Sequence, residues 1–181
     1  MALRLKFRFR KIFQVIERNL PEGGEGCMKK KVIVSACILG EYCRYDGKMK
    51  KIDVVAEALK EYEIIPFCPE APLFGTPRER INVLDINGKN RIVTDETNKD
   101  VTSLLEEEID VFIKSHPKVE RIILKSKSPS CGYGTTPILN ENKEPIKIGN
   151  GIAADLMHKH YKDVKIEDEL NFMKHKPNES N

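Results

Sequence analysis

Three short apolar runs, Val32-Ile33-Val34, Ile64-Ile65 and Ile122-Ile123-Leu124, each lead into a loop that carries a cysteine: Cys37, Cys68 and Cys131. Short β-branched runs bounded by turn residues read as buried strands. The three loops are rich in Gly, Pro and Ser. In an open α/β sheet, ligands bind in the crevice beyond the carboxyl ends of the strands. Three parallel neighbouring strands would therefore bring thiols from distant parts of the chain to one crevice. That is the geometry of a metal or iron–sulfur site.

The remaining pattern alternates strand and helix from residue 31 onward. Lys31–Ala36 is expected as the first strand and Cys37–Lys50 as a loop with a turn at Tyr45-Asp46-Gly47. Ile52–Tyr62 shows helical spacing and Glu63–Phe67 is the second strand. Cys68–Arg80 holds Pro69, Pro72 and Pro77, so it is a stiff loop. Val83–Asp85 and Arg91–Val93 flank Asn87-Gly88, a strong hairpin signal. Asp100–His116 is expected as a helix with Val101, Leu104, Leu105, Ile109, Phe112 and Ile113 on its apolar face. Glu120–Leu124 is the third strand and Lys125–Asn150 a long loop, of the kind usually kept for function. Gly151–Tyr161 is a helix and Val164–Ile166 a short strand. This order predicts an α/β fold in three layers, with a mostly parallel, Rossmann-like sheet and a β-hairpin insertion.

One domain is expected over residues 28–166, with a C-terminal tail over 167–181. Residues 1–27 carry six Lys/Arg against three Glu, which accounts for the whole net charge of +3. Apolar and cationic residues alternate there, and Pro21-Glu-Gly-Gly-Glu-Gly26 follows. Three readings compete: a start placed too early with Met28 as the natural beginning, a basic arm for RNA or a partner, and a targeting segment. Alternation does not separate into the regions of a signal peptide. The neutral body lacks the electrostatic footprint of a duplex-binding protein. Five cysteines without a signal peptide point to cytoplasmic thiols and not to a disulfide framework. No apolar stretch has the length of a membrane span.

No Cys-x-x-Cys pair occurs, which excludes zinc ribbons, ferredoxin-type clusters and thioredoxin-like motifs. Each cysteine taken alone could be a small buried hydrophobe. Three at three strand ends weaken that alternative, and Cys43 could supply a fourth ligand. His158 and His160 stand two apart on a helix, facing different sides, and do not form a metal pair.

Several ordered segments carry a resemblance: Val34-Ser35-Ala36-Cys37-Ile38-Leu39-Gly40, Arg44-Tyr45-Asp46-Gly47, Phe67-Cys68-Pro69-Glu70, Thr76-Pro77-Arg78-Glu79, Lys99-Asp100-Val101-Thr102, and Leu124-Lys125-Ser126-Lys127-Ser128-Pro129-Ser130-Cys131-Gly132. Over about residues 30–161 the chain resembles the thiouracil desulfidase family. The resemblance implies a [4Fe-4S] cluster held by Cys37, Cys68 and Cys131, its fourth iron open to the sulfur of a thiolated pyrimidine. Such an iron is a Lewis acid, and sulfur is a soft ligand suited to it. Water addition at the thiocarbonyl carbon and loss of sulfide would give the oxo base without redox change. The chain departs from the family pattern at Ala71-Pro72-Leu73-Phe74-Gly75 and at Thr135–Asn140, where substrate would be sensed.

Within this expectation Glu70 is the candidate acid/base, with capping or pairing to Arg78 as its simpler role. Lys125 and Ser128 are candidates for orienting substrate or sulfide. Arg44 and Asp46 are expected to pair and lock the first loop. The expected partner is a small thiolated nucleobase. The alternatives are a non-enzymatic sulfide or metal carrier, and a tRNA-directed protein that uses residues 1–20.

Overall fold

A computed structural model describes residues 29–175. The basic arm and Met28 lie outside them. Among the described residues no helix is long and apolar enough to cross a membrane.

Four strands form an all-parallel sheet: β1 (Lys31–Ser35), β2 (Glu63–Phe67), β5 (Arg121–Leu124) and β8 (Lys165–Asp168), in the order β2-β1-β5-β8. Val32 pairs with Ile64 on one side and Arg121 on the other, so β1 is central. A parallel sheet is covered on both faces, which is why its strands read as unbroken β-branched runs. Ile33, Ile122 and Leu124 face one layer, packing with Leu105, Ile109 and Ile113 of α3 (Thr102–Ser115) and Ala153, Ala154 and Met157 of α4 (Ile152–His160). Val32, Val34 and Ile123 face the other layer, packing with Val55 of α1 (Asp53–Ala58) and Phe172 of α5 (Glu169–Lys174). These are the three layers the sequence predicts.

The hairpin insertion is part of something larger. Strands β3 (Ile81–Ile86) and β4 (Lys89–Thr94) turn through Asn87 and Gly88, both at positive φ as a two-residue hairpin turn requires. They join β6 (Thr136–Leu139) and β7 (Pro145–Gly149) in a second sheet of order β4-β3-β6-β7. The expected long loop 125–150 therefore contains a second antiparallel pair, and only its first part is irregular. Pro137 obscured β6, because proline within a run argues against a strand. It is tolerated here at an exposed position opposite Ile148 of the edge strand β7.

Three further expectations are corrected. Helix α1 ends at Ala58, short of the expected Tyr62, since Leu59, Lys60 and Tyr62 donate their N–H groups to carbonyls three residues back, tightening the chain into turns. Leu104 is half-exposed, and the buried stripe of α3 is Thr102, Leu105, Ile109 and Ile113. The chain does not fade after residue 166. Strand β8 runs to Asp168, whose carboxylate caps α5 by accepting from the Asn171 N–H at 2.7 Å. Glu169 and Phe172 are buried, so the segment placed in a tail completes the core.

Candidate active site

Each cysteine stands where the alternation placed it. Cys37 lies in a single 3-10 turn (Ala36–Leu39) directly after β1, ended by Gly40 at φ 103, a left-handed conformation that glycine adopts without strain. The Cys37 carbonyl accepts from the Gly40 and Lys50 N–H groups, closing the loop around the thiol. Cys68 directly follows β2 and precedes the one-turn helix α2 (Ala71–Phe74). Cys131 follows β5 by a turn that Ser128 organises: its hydroxyl accepts from the N–H groups of Ser130 and Cys131 at 3.3 and 3.1 Å. Because β2, β1 and β5 are adjacent and parallel, all three loops open on the same edge of the sheet.

The start of α4 clamps the Cys131 loop. Gly151, Ile152 and Ala153 donate their N–H groups to the carbonyls of Gly132, Pro129 and Ser130 at 2.7, 3.2 and 2.8 Å. These otherwise unpaired helix-start donors thereby fix the loop. A Cβ on Gly151 would lie 2.6 Å from the Ser130 carbonyl, so only glycine permits this approach.

A cavity of about 380 Å³ lies at this edge, and its lining includes Cys37, Cys68, Cys131, Glu70, Lys125 and Ser128. The structure thus brings all six sequence candidates together. Glu70 is held on both oxygens: Arg78 donates from Nε and Nη2 to Oε2 at 3.2 and 2.9 Å, and Ser130 Oγ donates to Oε1 at 2.6 Å. The pairing with Arg78 foreseen as the simpler role is present, in a setting where neither side chain has much contact with solvent. Lys125 is no solvated surface lysine. It is largely buried and ion-paired with Glu169 at 2.6 Å. Arg44 and Asp46 form the expected two-bond pair at 3.2 and 3.3 Å, and the arginine holds the Asp46 carboxyl below its usual range.

Cys43 also lines the cavity and is buried against Ala36 and Ala71. The Cys68 thiol donates to the Cys43 backbone carbonyl at 3.7 Å, and the neighbouring Cys43 thiol holds the Cys37 and Cys68 thiols below their usual range while its own is pushed up. Burial pushes the Cys131 thiol well up. Among the described residues no three His, Cys, Asp or Glu side chains stand close enough to hold a single metal ion. In an iron–sulfur cluster the thiolates ligate the irons from several loops at once, and these three loops meet at one cavity.

Sequence reasoning missed Ser35, Tyr45, Arg80 and Glu169 as parts of this region. Tyr45 lies on the lining with the Arg44 and Arg80 guanidinium groups 5.7 and 5.3 Å from its ring centroid. The only available signal was the position of Tyr45 between Arg44 and Asp46. Glu169 gave none, because its partners lie across the sheet in sequence terms.

The site is thus a cavity at the carboxyl edge of a parallel sheet in an α/β protein, with thiols from three neighbouring strand ends on its lining. Residues 32–169 match the 2-thiouracil desulfurase family, and the chain belongs to that family. It is 33% identical over 150 residues to the uncharacterized protein YbbK of Bacillus subtilis (strain 168), covering 77% of this chain and 97% of the relative. It also resembles a solved [4Fe-4S]-dependent thiouracil desulfidase, TudS, at 31% identity. That match has a TM-score of 0.64 and covers 81% of this chain and 95% of the other.

Serine in place of Cys43 is expected to leave iron content intact and to cost activity no more than about tenfold, the low end for groups that act on a ligand from outside. Serine leaves the Cys43 backbone carbonyl, which accepts from the Cys68 thiol, in place. Iron and sulfide counts with turnover check this. Loss of iron from this change alone would mean four protein ligands and a closed cluster.

Proposed function

We propose that this protein is a non-redox desulfidase that removes sulfur from a thiolated pyrimidine of the 2-thiouracil type, yielding the oxo base and sulfide. Cys37, Cys68 and Cys131 would hold a [4Fe-4S] cluster. The observation that carries this reading is the opening of all three cysteine loops onto one cavity that also holds a fixed carboxylate. Membership of the desulfurase family and likeness to a [4Fe-4S]-dependent desulfidase support it. When bound, the cluster supplies a Lewis-acidic iron with a position free for sulfur.

The residues of the chain supply the rest. Arg78 and Ser130 fix both oxygens of Glu70, so its carboxylate meets a water in one orientation, as a general base requires. Ser128 accepts two backbone N–H groups, which leaves its own hydrogen for a ligand in the cavity. That hydrogen can address the heterocycle oxygen or the departing sulfur. Lys125 places a positive charge on the same wall, where negative charge develops as water adds and sulfide leaves. Phe67, Val83 and Leu139 give the cavity apolar surface against which a flat base can lie.

Anaerobically reconstituted protein supplied with 2-thiouracil tests this. The expected result is catalytic loss of the thiocarbonyl absorbance, with one sulfide and one uracil formed per substrate and no reductant required. A fully loaded protein that turns over no thiolated pyrimidine would sink the proposal. Uptake of sulfide without base turnover would favour the carrier.

A further inference from the structure

Glu169 is the least expected feature of the site. It sits at the start of α5, on the far side of β5 from the cysteine loops of β1 and β2. Its side chain is only 2% exposed, yet both oxygens are occupied. Oε1 accepts from Lys125 Nζ at 2.6 Å and from Ser126 Oγ at 2.8 Å, and Oε2 accepts from the Ser126 N–H at 2.6 Å. The Lys125 ammonium completes its set of three donors with the Ser126 carbonyl and hydroxyl, each at 2.9 Å. The backbone N–H of the same lysine donates to Ser35 Oγ at 2.9 Å, tying the end of β5 to the end of β1.

An ammonium with three protein acceptors cannot turn toward substrate as a flexible lysine would. Its charge nevertheless stays on the cavity wall. Burying an ion pair in an apolar core gains little stability over a well-packed apolar pair. A fixed positive charge beside a site where anion develops acts far more strongly than one in water, and needs no reorganisation during reaction.

We propose that Glu169 is a positioning residue for desulfidation, acting through Lys125 to hold its ammonium at the cavity wall. The inference rests on the desulfidase reading. It assigns the last strand–helix unit of the chain a part in the chemistry, although none of its own residues lines the cavity.

The experiment compares Glu169→Gln, Lys125→Met and the combination Lys125→Met with Glu169→Leu in cluster-loaded protein. Turnover number and KM for 2-thiouracil are read beside iron and sulfide counts and the melting temperature of the cluster-free chain. Glu169→Gln is expected to hold a full complement of iron while its turnover number falls by about 10²-fold, the scale of a misplaced group. KM should stay close to the parental value. The doubly substituted protein has no unpaired buried charge, so it should fold even if Glu169→Gln does not, and it should be no slower than Lys125→Met alone. Parental turnover in Glu169→Gln, losses that only track iron content, or fully additive losses would each overturn the inference. An active parent with indifferent variants sinks this inference alone. A loaded parent that releases no sulfide sinks the desulfidase reading, and this inference with it.

Discussion

Serine at Cys37, Cys68 or Cys131 is expected to remove bound iron and desulfidation together, to background in each single variant. A hydroxyl is a hard, weakly acidic donor, whereas iron in a cluster is held by soft thiolates. If these three cysteines hold a cluster with one open iron, the loss of any one leaves two attachment points. The alternative, that these are small buried hydrophobes, makes a different forecast. Cys37 and Cys68 are only partly buried, so serine there would cost little stability and leave iron unaffected. At buried Cys131 the same change would cost about 1–3 kcal/mol through a poorly satisfied hydroxyl. Iron and sulfide counts, an anaerobic visible spectrum and melting of the cluster-free chain separate the two. Retained iron in any one variant would remove that cysteine from the ligand set.

The cysteine positions were legible because buried parallel strands announce themselves locally. Val32–Val34 and Ile122–Leu124 are apolar without alternation since both faces of their sheet are covered. A residue just past such a run lies at the carboxyl edge whatever the rest of the chain does. The second half of the other sheet was not legible for the opposite reason. In β7, Ile146 and Ile148 are exposed on an edge, and Lys147 reaches Asp85 across the sheet, so no buried face marks the strand. Pro137 then hid its partner.

The chemistry divides in the same way. Glu70 and Arg78 are near in sequence and joined by a stiff loop, so their pairing could be foreseen. Lys125 and Glu169 meet only because β8 lies beside β5 in parallel register, Leu124 opposite Asp168. Nothing local in Ile166-Glu167-Asp168-Glu169 distinguishes the buried carboxylate of Glu169 from a solvated acidic run. Long-range register decides it.

Replacing Glu70 with Gln is expected to lower turnover by about 10²–10⁴-fold, the range for a positioned general base, with the iron content unchanged. Water must lose a proton as it adds to the thiocarbonyl carbon, and an amide cannot take it. The structure also gives Glu70 a structural share, since it is the carboxylate partner of Arg78 in a nearly closed setting. Gln keeps the shape but weakens that charge-assisted pair, at an expected cost of about 1–3 kcal/mol in stability. A stability loss alone therefore decides nothing. Arg78→Gln is the discriminating control: it breaks the same pair from the other side and leaves the carboxylate present, still accepting from Ser130. Arg78 also donates to the Cys43 and Gly75 carbonyls, so its variant should melt at or below the temperature of the Glu70 variant. Both should lose turnover, the Arg78 variant through a less firmly oriented carboxylate, but the Glu70 variant should lose at least about tenfold more, because only it lacks a base. Equal turnover in the two would show that the pair serves the loop and that another group takes the proton from water.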